Sequence, residues 1–274
     1  MSSIRSVEAR RHHYEVEREL AGRLRQSTRA ERTALFGQMY DELFARVPDH
    51  PRLTRKGSET ARARGVRAQM RLLSCAIKPG QTLVEFASGD GWLSNAAAAT
   101  ASEVISVDIS DQRDMSQPLP ENVRHVIYDG YHLDLPEACA DIVFSYQFLE
   151  HLHPEDVPLH FQMVRRLLKP GGKYVFDTPH RYSGPHDISR EFSETLDCFH
   201  FQEWTHREMR KQMREYGFDP AWMVRFGKAW EGWLPNSLVN WVEFLLLPVP
   251  QKLRSRICAR LFPSVAMVAV KSGL

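Results

Sequence analysis

The chain has 274 residues, of which 43% are hydrophobic and 26% charged, and a formal net charge of +2. This composition is typical of a soluble globular chain with one large domain and an appendage. The four cysteines are scattered without a CxxC spacing, which excludes a zinc knuckle or iron–sulfur motif and fits a reducing cytoplasm. No apolar signal region opens the chain, and the most apolar stretch, 238–249, is too short to span a bilayer.

The charge is unevenly distributed. Residues 1–71 contain 16 Lys and Arg against 9 Asp and Glu, whereas the remainder contains 20 against 25. Because the basic residues alternate with acids, a solvated helical surface is favoured over a binding site for an anionic partner.

The first part of the chain is predicted to be helical. Apolar residues recur at helical spacing over 7–46 until Pro48, and a second helix over 59–76 leads to the turn at Lys78-Pro79-Gly80. We therefore predict a helical cap over 1–76 and a second domain over 77–274. The cap could form part of an acceptor pocket or the interface of a homodimer.

From residue 82 onward, short strands alternate with helices. The predicted strands are 82–87, 104–107, 123–128, 141–146, 173–177, 221–226 and 264–270. A helix over 156–168 and another opened by the capping box Thr205–Glu208 separate some of them. This order predicts an α/β fold with a doubly wound, mostly parallel, seven-stranded sheet.

Residues 230–262 form an insertion before the last strand, in which a stretch rich in Trp, Phe and Leu is followed by the basic residues Lys252, Arg254 and Arg256. One interpretation is a helical lid that packs on the N-terminal helices. The other is an amphipathic surface that contacts a membrane or a lipid-like substrate. The first is favoured, because aromatic residues at helical spacing are usually core.

A glycine turn follows the first strand, at Gly89 and Gly91, and lets a ligand approach the backbone closely. Three acidic residues close successive strands: Glu85, Asp108 and Asp129. Carboxylates accept hydrogen bonds from hydroxyl and amino groups, so an adenosine is a natural ligand at this edge.

These features together resemble the class I S-adenosylmethionine-dependent methyltransferases over about 78–217, including the Rossmann-like sheet. The matching segments are 85–91, Asp108, Asp129-Gly130, 141–152 and 167–172. The resemblance implies that Asp108 and Ile109 bind the ribose, that Asp129 and Gly130 bind the adenine, and that the turn holds the methionine part. The segment departs from the family at Ala87, where a glycine is usual.

A second resemblance concerns a metal. The segment His200-Phe201-Gln202-Glu203-Trp204-Thr205 is similar to one in small-RNA terminal ribose methyltransferases. The segment around Glu150-His151 is similar to the metal-binding motif of those enzymes, which ubiquinone-pathway O-methyltransferases share in part. The resemblance implies that Glu150, His151 and His200 bind a divalent cation, although Gln147 replaces one acidic ligand. In the alternative interpretation no metal binds, and His151 or His200 is the general base.

The sequence thus predicts a cytoplasmic, biosynthetic enzyme that uses S-adenosylmethionine to methylate a hydroxyl of a small molecule such as a sugar, quinone or phenol. Two alternatives remain open: methylation of a terminal RNA ribose, and a non-catalytic binding protein with the same fold. A nucleic-acid partner is disfavoured by the near-neutral net charge. Peripheral membrane contact stays open through the 230–262 insertion.

Overall fold

The computed structural model describes residues 5–56, 58–113, 115 and 118–273. Its helices are α1 (Val7–Gln26), α2 (Arg29–Arg46), α3 (Pro51–Lys56), α4 (Glu59–Leu73), α5 (Trp92–Ala97), α6 (Val157–Leu167), α7 (His206–Glu215), α8 (Trp233–Leu246) and α9 (Gln251–Leu261). Its strands are β1 (Thr82–Phe86), β2 (Glu103–Asp108), β3 (Val123–Ile127), β4 (Ala140–Tyr146), β5 (Leu168–Pro179), β6 (Phe218–Arg225), β7 (Lys228–Trp230) and β8 (Ser264–Lys271).

The strands of the described residues form one sheet in the order β3-β2-β1-β4-β5-β8-β6-β7. The first five are mutually parallel, and β8 runs antiparallel between β5 and β6. The predicted α/β, mostly parallel sheet is therefore confirmed. It has eight strands rather than seven, because residues 228–230 pair with the end of β6.

The register brings the ends of the central strands together. Phe86, the last residue of β1, pairs with Val107, next to Asp108. The chain reverses its strand order between β1 and β4, which is where open α/β sheets bind ligands. Apolar clusters cover both faces of the sheet, so the site is fixed on a rigid frame.

The cap begins with two helices where the sequence predicted one helical region. A break occurs at Ser27 and Thr28, because Thr28 and Glu31 form a capping box that starts α2. The two helices bury a shared apolar cluster against Phe199, in the loop after β5. Arg25 strengthens this contact by donating hydrogen bonds to the carbonyls of residues 196, 197 and 198.

Several arginines of the cap form ion pairs. Arg46 contacts Glu19 and Glu42, and Arg23 also contacts Glu42. Arg32 is fully buried and bonds to Asp156, at the start of α6. These pairs agree with the interpretation of the charge as a helical surface, and Arg32 ties the cap to the sheet domain.

The 230–262 insertion forms α8 and α9. Its main packing partners are α7, β6 and residues 181–183, whereas the sequence favoured the N-terminal helices. The shared apolar cluster consists of Tyr182, Met223, Val239, Leu246, Cys258 and Phe262. No helix of the described part of the chain is long and apolar enough to cross a bilayer.

Candidate active site

The turn after β1 has an unusual backbone. Ala87, Gly89 and Gly91 all have positive φ, at 54°, 55° and 76°. Glycine adopts this conformation freely, whereas alanine pays about 1 kcal/mol or more. Ala87 thus holds the left-handed conformation at the position where the family usually has glycine, so the turn keeps its shape despite the substitution.

Asp108 holds this turn against the end of β2. Its Oδ2 accepts a hydrogen bond from the Gly89 N–H at 2.8 Å, and its Oδ1 accepts one from the Ile109 N–H at 2.7 Å. The side chain is almost buried. Each carboxylate oxygen can accept a further bond, so Asp108 remains able to bind two ribose hydroxyls.

Glu85 lies deeper than the turn. Its buried carboxyl accepts a hydrogen bond from the Ser94 hydroxyl on α5. Burial raises its pKa to about 8, partly opposed by that bond. The geometry gives Glu85 the role of joining β1 to α5, beneath the predicted cofactor site.

Asp129 and Gly130 follow β3. Asp129 accepts hydrogen bonds from the backbone of Tyr131 and His132 and pairs with the His132 ring. Gly130 has φ +91°, and an added Cβ would lie 3.4 Å from the ring of Phe36 in the cap. The adenine end of the predicted site therefore lies beneath α2.

The cap contributes groups that the sequence did not single out. The Arg52 guanidinium lies 5.0 Å from the centre of the Tyr40 ring and donates to Gln112, four residues after Asp108. Burial raises the pKa of the Tyr40 hydroxyl, and Asp108 adds to this shift. Tyr40 and Arg52 thus reach the carboxyl edge of β2. Tyr40 lies in the helical region predicted over 7–46 and Arg52 in the break that follows it, and neither belongs to a motif.

The structure brings Glu150, His151 and His200 together, as the resemblance implied. One potential ligand atom of each lies within 4.8 Å of the others. Glu150 is fully buried; its Oε2 accepts from Thr178 at 2.9 Å, and its Oε1 has no partner in the described structure. Burial raises the pKa of Glu150 to about 7, which His200 partly offsets.

Both histidines of this cluster are oriented by their Nδ1 atoms. His151 Nδ1 lies 3.0 Å from the Phe199 carbonyl, so it carries the proton. His200 Nδ1 lies 2.9 Å from a carboxylate oxygen of Glu203. The Nε2 lone pair is therefore the free acceptor of each ring. Burial lowers the pKa of His151 to about 3, whereas the bond to Glu203 outweighs burial and raises that of His200.

Glu203 is the positioning residue that sequence reasoning missed. It accepts bonds from the N–H and ring of His186 as well as from His200. Although burial opposes ionisation, these bonds lower its pKa to about 2. The three-residue spacing from His200 was the available signal. Such carboxylate–histidine pairs commonly orient metal ligands or general bases.

Gln147 does not supply the missing acidic ligand. Its backbone has φ +51°, and its side-chain amide donates to Asp177 at the end of β5. Burial raises the pKa of Asp177 to about 6. Gln147 and Asp177 therefore link the ends of β4 and β5 rather than extend the carboxylate set.

A cavity of about 460 Å³ lies beside these strand ends. Its apolar part includes Met223 and Phe262. Its polar lining consists of Arg71, Tyr146, Asp177, His206, Arg225, Arg260 and Ser264. Thr178, the residue after Asp177, donates to Glu150. The three cluster residues are not part of the cavity lining; Asp177 and Thr178 are consecutive on β5 and point to opposite faces of the sheet, so the cavity and the cluster lie on either side of its end.

The fold and the turn at Asp108 define a Rossmann-like nucleotide-binding methyltransferase. A family model described as a methyltransferase domain matches residues 59–221. The chain belongs to this family, and thus to the class I S-adenosylmethionine-dependent methyltransferases.

Relatives agree with this assignment. A Mycolicibacterium smegmatis protein named "Probable S-adenosylmethionine-dependent methyltransferase" is 28% identical over 142 residues, which are 51% of this chain and 52% of that protein. The chain is thus matched to about half the length of this curated relative.

Solved structures share the fold. Burkholderia thailandensis 1,6-didemethyltoxoflavin-N1-methyltransferase, solved with S-adenosylhomocysteine, is 17% identical with a TM-score of 0.50, covering 76% of each chain. Geranyl diphosphate C-methyltransferase from Streptomyces coelicolor A3(2) is 18% identical to this chain with a TM-score of 0.50. The match covers 79% of this chain and 80% of that enzyme.

Proposed function

We propose that this protein transfers a methyl group from S-adenosylmethionine to a hydroxyl oxygen of a small-molecule acceptor. The observation that carries the proposal is the buried cluster of Glu150, His151 and His200 beyond the ends of β4 and β5. A hydroxyl must lose its proton as its oxygen attacks the sulfonium methyl group. Glu150 Oε1 and the two Nε2 atoms are proton acceptors oriented by fixed partners.

The cofactor is proposed to lie between the β1 turn and the cap. Asp108 would accept bonds from the ribose hydroxyls, and the Gly89–Gly91 backbone would lie against the methionine part. Phe36 and Tyr40 would cover the adenosine and exclude water. Such enclosure positions the reacting atoms in line, and positioning supplies much of the acceleration of a methyl transfer.

The cluster also fits a divalent cation. Glu150 Oε1 lacks a partner, and Glu203 and the Phe199 carbonyl fix both rings with Nε2 free. One carboxylate and two imidazoles suit a borderline metal such as Zn²⁺, Mn²⁺ or Fe²⁺ better than Mg²⁺. Such an ion, when bound, would acidify an acceptor hydroxyl. The residues serve as ligands in that case and as bases without it.

The acceptor hydroxyl is proposed to approach the cluster at the ends of β4 and β5. The nearby cavity has an apolar lining that includes Met223 and Phe262 and a basic lining of Arg71, Arg225 and Arg260, which favours an acceptor with an apolar body and an anionic group if the acceptor extends into it. A terminal RNA ribose is the second candidate, because the same cluster carries the resemblance to those enzymes. The near-neutral net charge of the chain argues against a nucleic-acid acceptor.

The test is the transfer of labelled methyl groups to a panel of phenols, quinols, sugars and a short RNA, with and without a chelator. We expect label on a hydroxyl oxygen of a small molecule. Glu150→Gln should lower turnover by about 10²-fold or more, while Glu137→Gln, an exposed control, should not. Label only on nitrogen or carbon would overturn the hydroxyl acceptor, and lack of S-adenosylhomocysteine binding would overturn the activity itself.

A further inference from the structure

Helix α8 has its polar side chains turned toward the protein. Asn236 and Asn240 accept hydrogen bonds from Arg210 on α7. Glu243 is buried and accepts four hydrogen bonds, from His180, the N–H and ring of His206, and the N–H of Arg207. Residues 236, 240 and 243 follow helical spacing, so a polar row lies on the inward side of α8 next to the buried Val239 and Leu246.

The outward side of α8 is apolar. Trp233 is 72% exposed, and Leu238 and Trp241 are each 63% exposed. The remaining exposed large apolar residues of the insertion are Trp230, Leu234, Phe244, Leu245, Leu247, Leu253 and Leu261. We call this surface the α8 face. Helix α8 thus exposes most of its large apolar side chains, whereas a surface helix usually buries them.

The flanks of the α8 face are basic. Residues 225–262 contain six basic side chains and two acidic ones, Glu231 and Glu243. Glu243 is buried, so it adds little negative charge to the surface. The exposed basic residues on α9 include Lys252, Arg256 and Arg260. An apolar, Trp-bearing stripe with basic neighbours is complementary to an anionic lipid surface.

We propose that the α8 face docks on an anionic phospholipid bilayer, with Trp233 and Trp241 at the level of the headgroups. The amphipathic indole ring favours that interface, and the leucines beside it would enter the acyl boundary. Helix α8, with 14 residues, lies in the surface rather than across it. This binding does not depend on the proposed methyl transfer.

A second copy of the chain suits this surface less well. A two-fold interface brings the same patch of both copies together. The basic flanks would then face each other, and like charges across an interface oppose association. An anionic bilayer instead matches both the apolar stripe and its flanks.

The experiment is sedimentation of the full chain with vesicles of phosphatidylcholine, either alone or mixed with phosphatidylglycerol. We expect sedimentation with the mixed vesicles only, accompanied by a blue shift of Trp fluorescence. Replacing Trp233 and Trp241 together by Ser should lower partitioning at least about tenfold. Arg256→Gln should lower it about fivefold, the effect of one basic side chain near an anionic surface.

Ile127→Ser is the matched control, because Ile127 is an exposed apolar residue on β3, away from the insertion. This variant should sediment like the wild type. Far-UV circular dichroism checks that each variant is folded. The proposal is overturned if the wild type stays in the supernatant with anionic vesicles. It is equally overturned if the double Trp variant sediments as well as the Ile127→Ser control. It is also overturned if ultracentrifugation shows a dimer that the double Trp variant converts to monomer without any vesicle binding.

Discussion

The substitution Gly184→Ala tests how Glu203 holds His200 of the proposed active site in place. A Cβ added there would lie 1.9 Å from Glu203 Oε2 and 3.0 Å from the His186 ring. Glu203 is 2% exposed and cannot turn into solvent. Gly184→Ala should therefore displace the carboxylate that orients His200, although the Gly184 backbone itself suits alanine.

The magnitude follows from the contacts. Glu203 must move by roughly 1.5 Å to restore van der Waals distance, which breaks bonds of 2.9 and 3.0 Å to His200 and His186. Each charge-assisted bond contributes about 1.5–3 kcal/mol, and partial relaxation recovers some of this. We expect Gly184→Ala to lower the free energy of unfolding by about 2–4 kcal/mol. The pKa of His200 should fall, because its bond to Glu203 raises it.

Urea unfolding and NMR titration of His200 measure these two effects. Gly65→Ala is the control, because Gly65 lies within α4 with open space around its Cα; it should be neutral or stabilising by up to about 1 kcal/mol. In a Glu203→Ala background the same Gly184→Ala change should cost little, since the clash is gone. An equal loss in both backgrounds, or an unchanged pKa of His200, would refute the reasoning.

Three further predictions concern the cofactor turn. Asp108→Ala should weaken S-adenosylhomocysteine binding by roughly 10²-fold or more in calorimetry, whereas the exposed control Asp134→Ala should bind normally; equal affinities would remove Asp108 from the site. The pKa of Glu85 is near 4.5 in the unfolded chain and about 8 in the folded protein, so between these pH values the folded protein binds a proton that the unfolded chain does not. The free energy of unfolding should therefore fall as the pH rises from about 4.5 to about 8. Glu85→Gln should remove most of this pH dependence and raise the free energy of unfolding by about 3 kcal/mol at neutral pH. If the pH dependence persists in the variant, the raised pKa does not belong to Glu85. Ala87→Gly should leave the stability in thermal unfolding unchanged or raise it by about 1 kcal/mol. The control Ala96→Gly, in α5, should lower it by about 1 kcal/mol. If both substitutions lower the stability equally, the backbone of Ala87 is not strained.

The sheet was predictable because its signals are local. Each central strand is a short buried run followed by an acid or a glycine turn, and the capping box at Thr205 starts α7 as expected. Strand β7 was missed because a run of only three residues, Lys228–Trp230, is too short to show the alternation of a strand. The break at Ser27-Thr28 was missed because the apolar spacing continues across it, although Thr28 and Glu31 carry the capping signal.

The site was predictable only in part. Spacing indicated the turn and Asp108, and the resemblance indicated Glu150, His151 and His200. The roles of Glu203, Tyr40 and Arg52 depend on which loop and helix meet across the sheet edge, which no local pattern encodes. The orientation of α8 was likewise misjudged, because a helix with Trp and Leu on one side is ordinarily taken to bury that side.

The four hydrogen bonds that converge on Glu243 determine how α8 can move. Any displacement of α8 would leave two histidines and two N–H groups at the start of α7 without their acceptor in a dry interior. Helix α8 is therefore a fixed wall of the domain and not a hinged flap. Because His206 also lines the cavity, a surface that holds α8 fixes the position of the cavity at the same time.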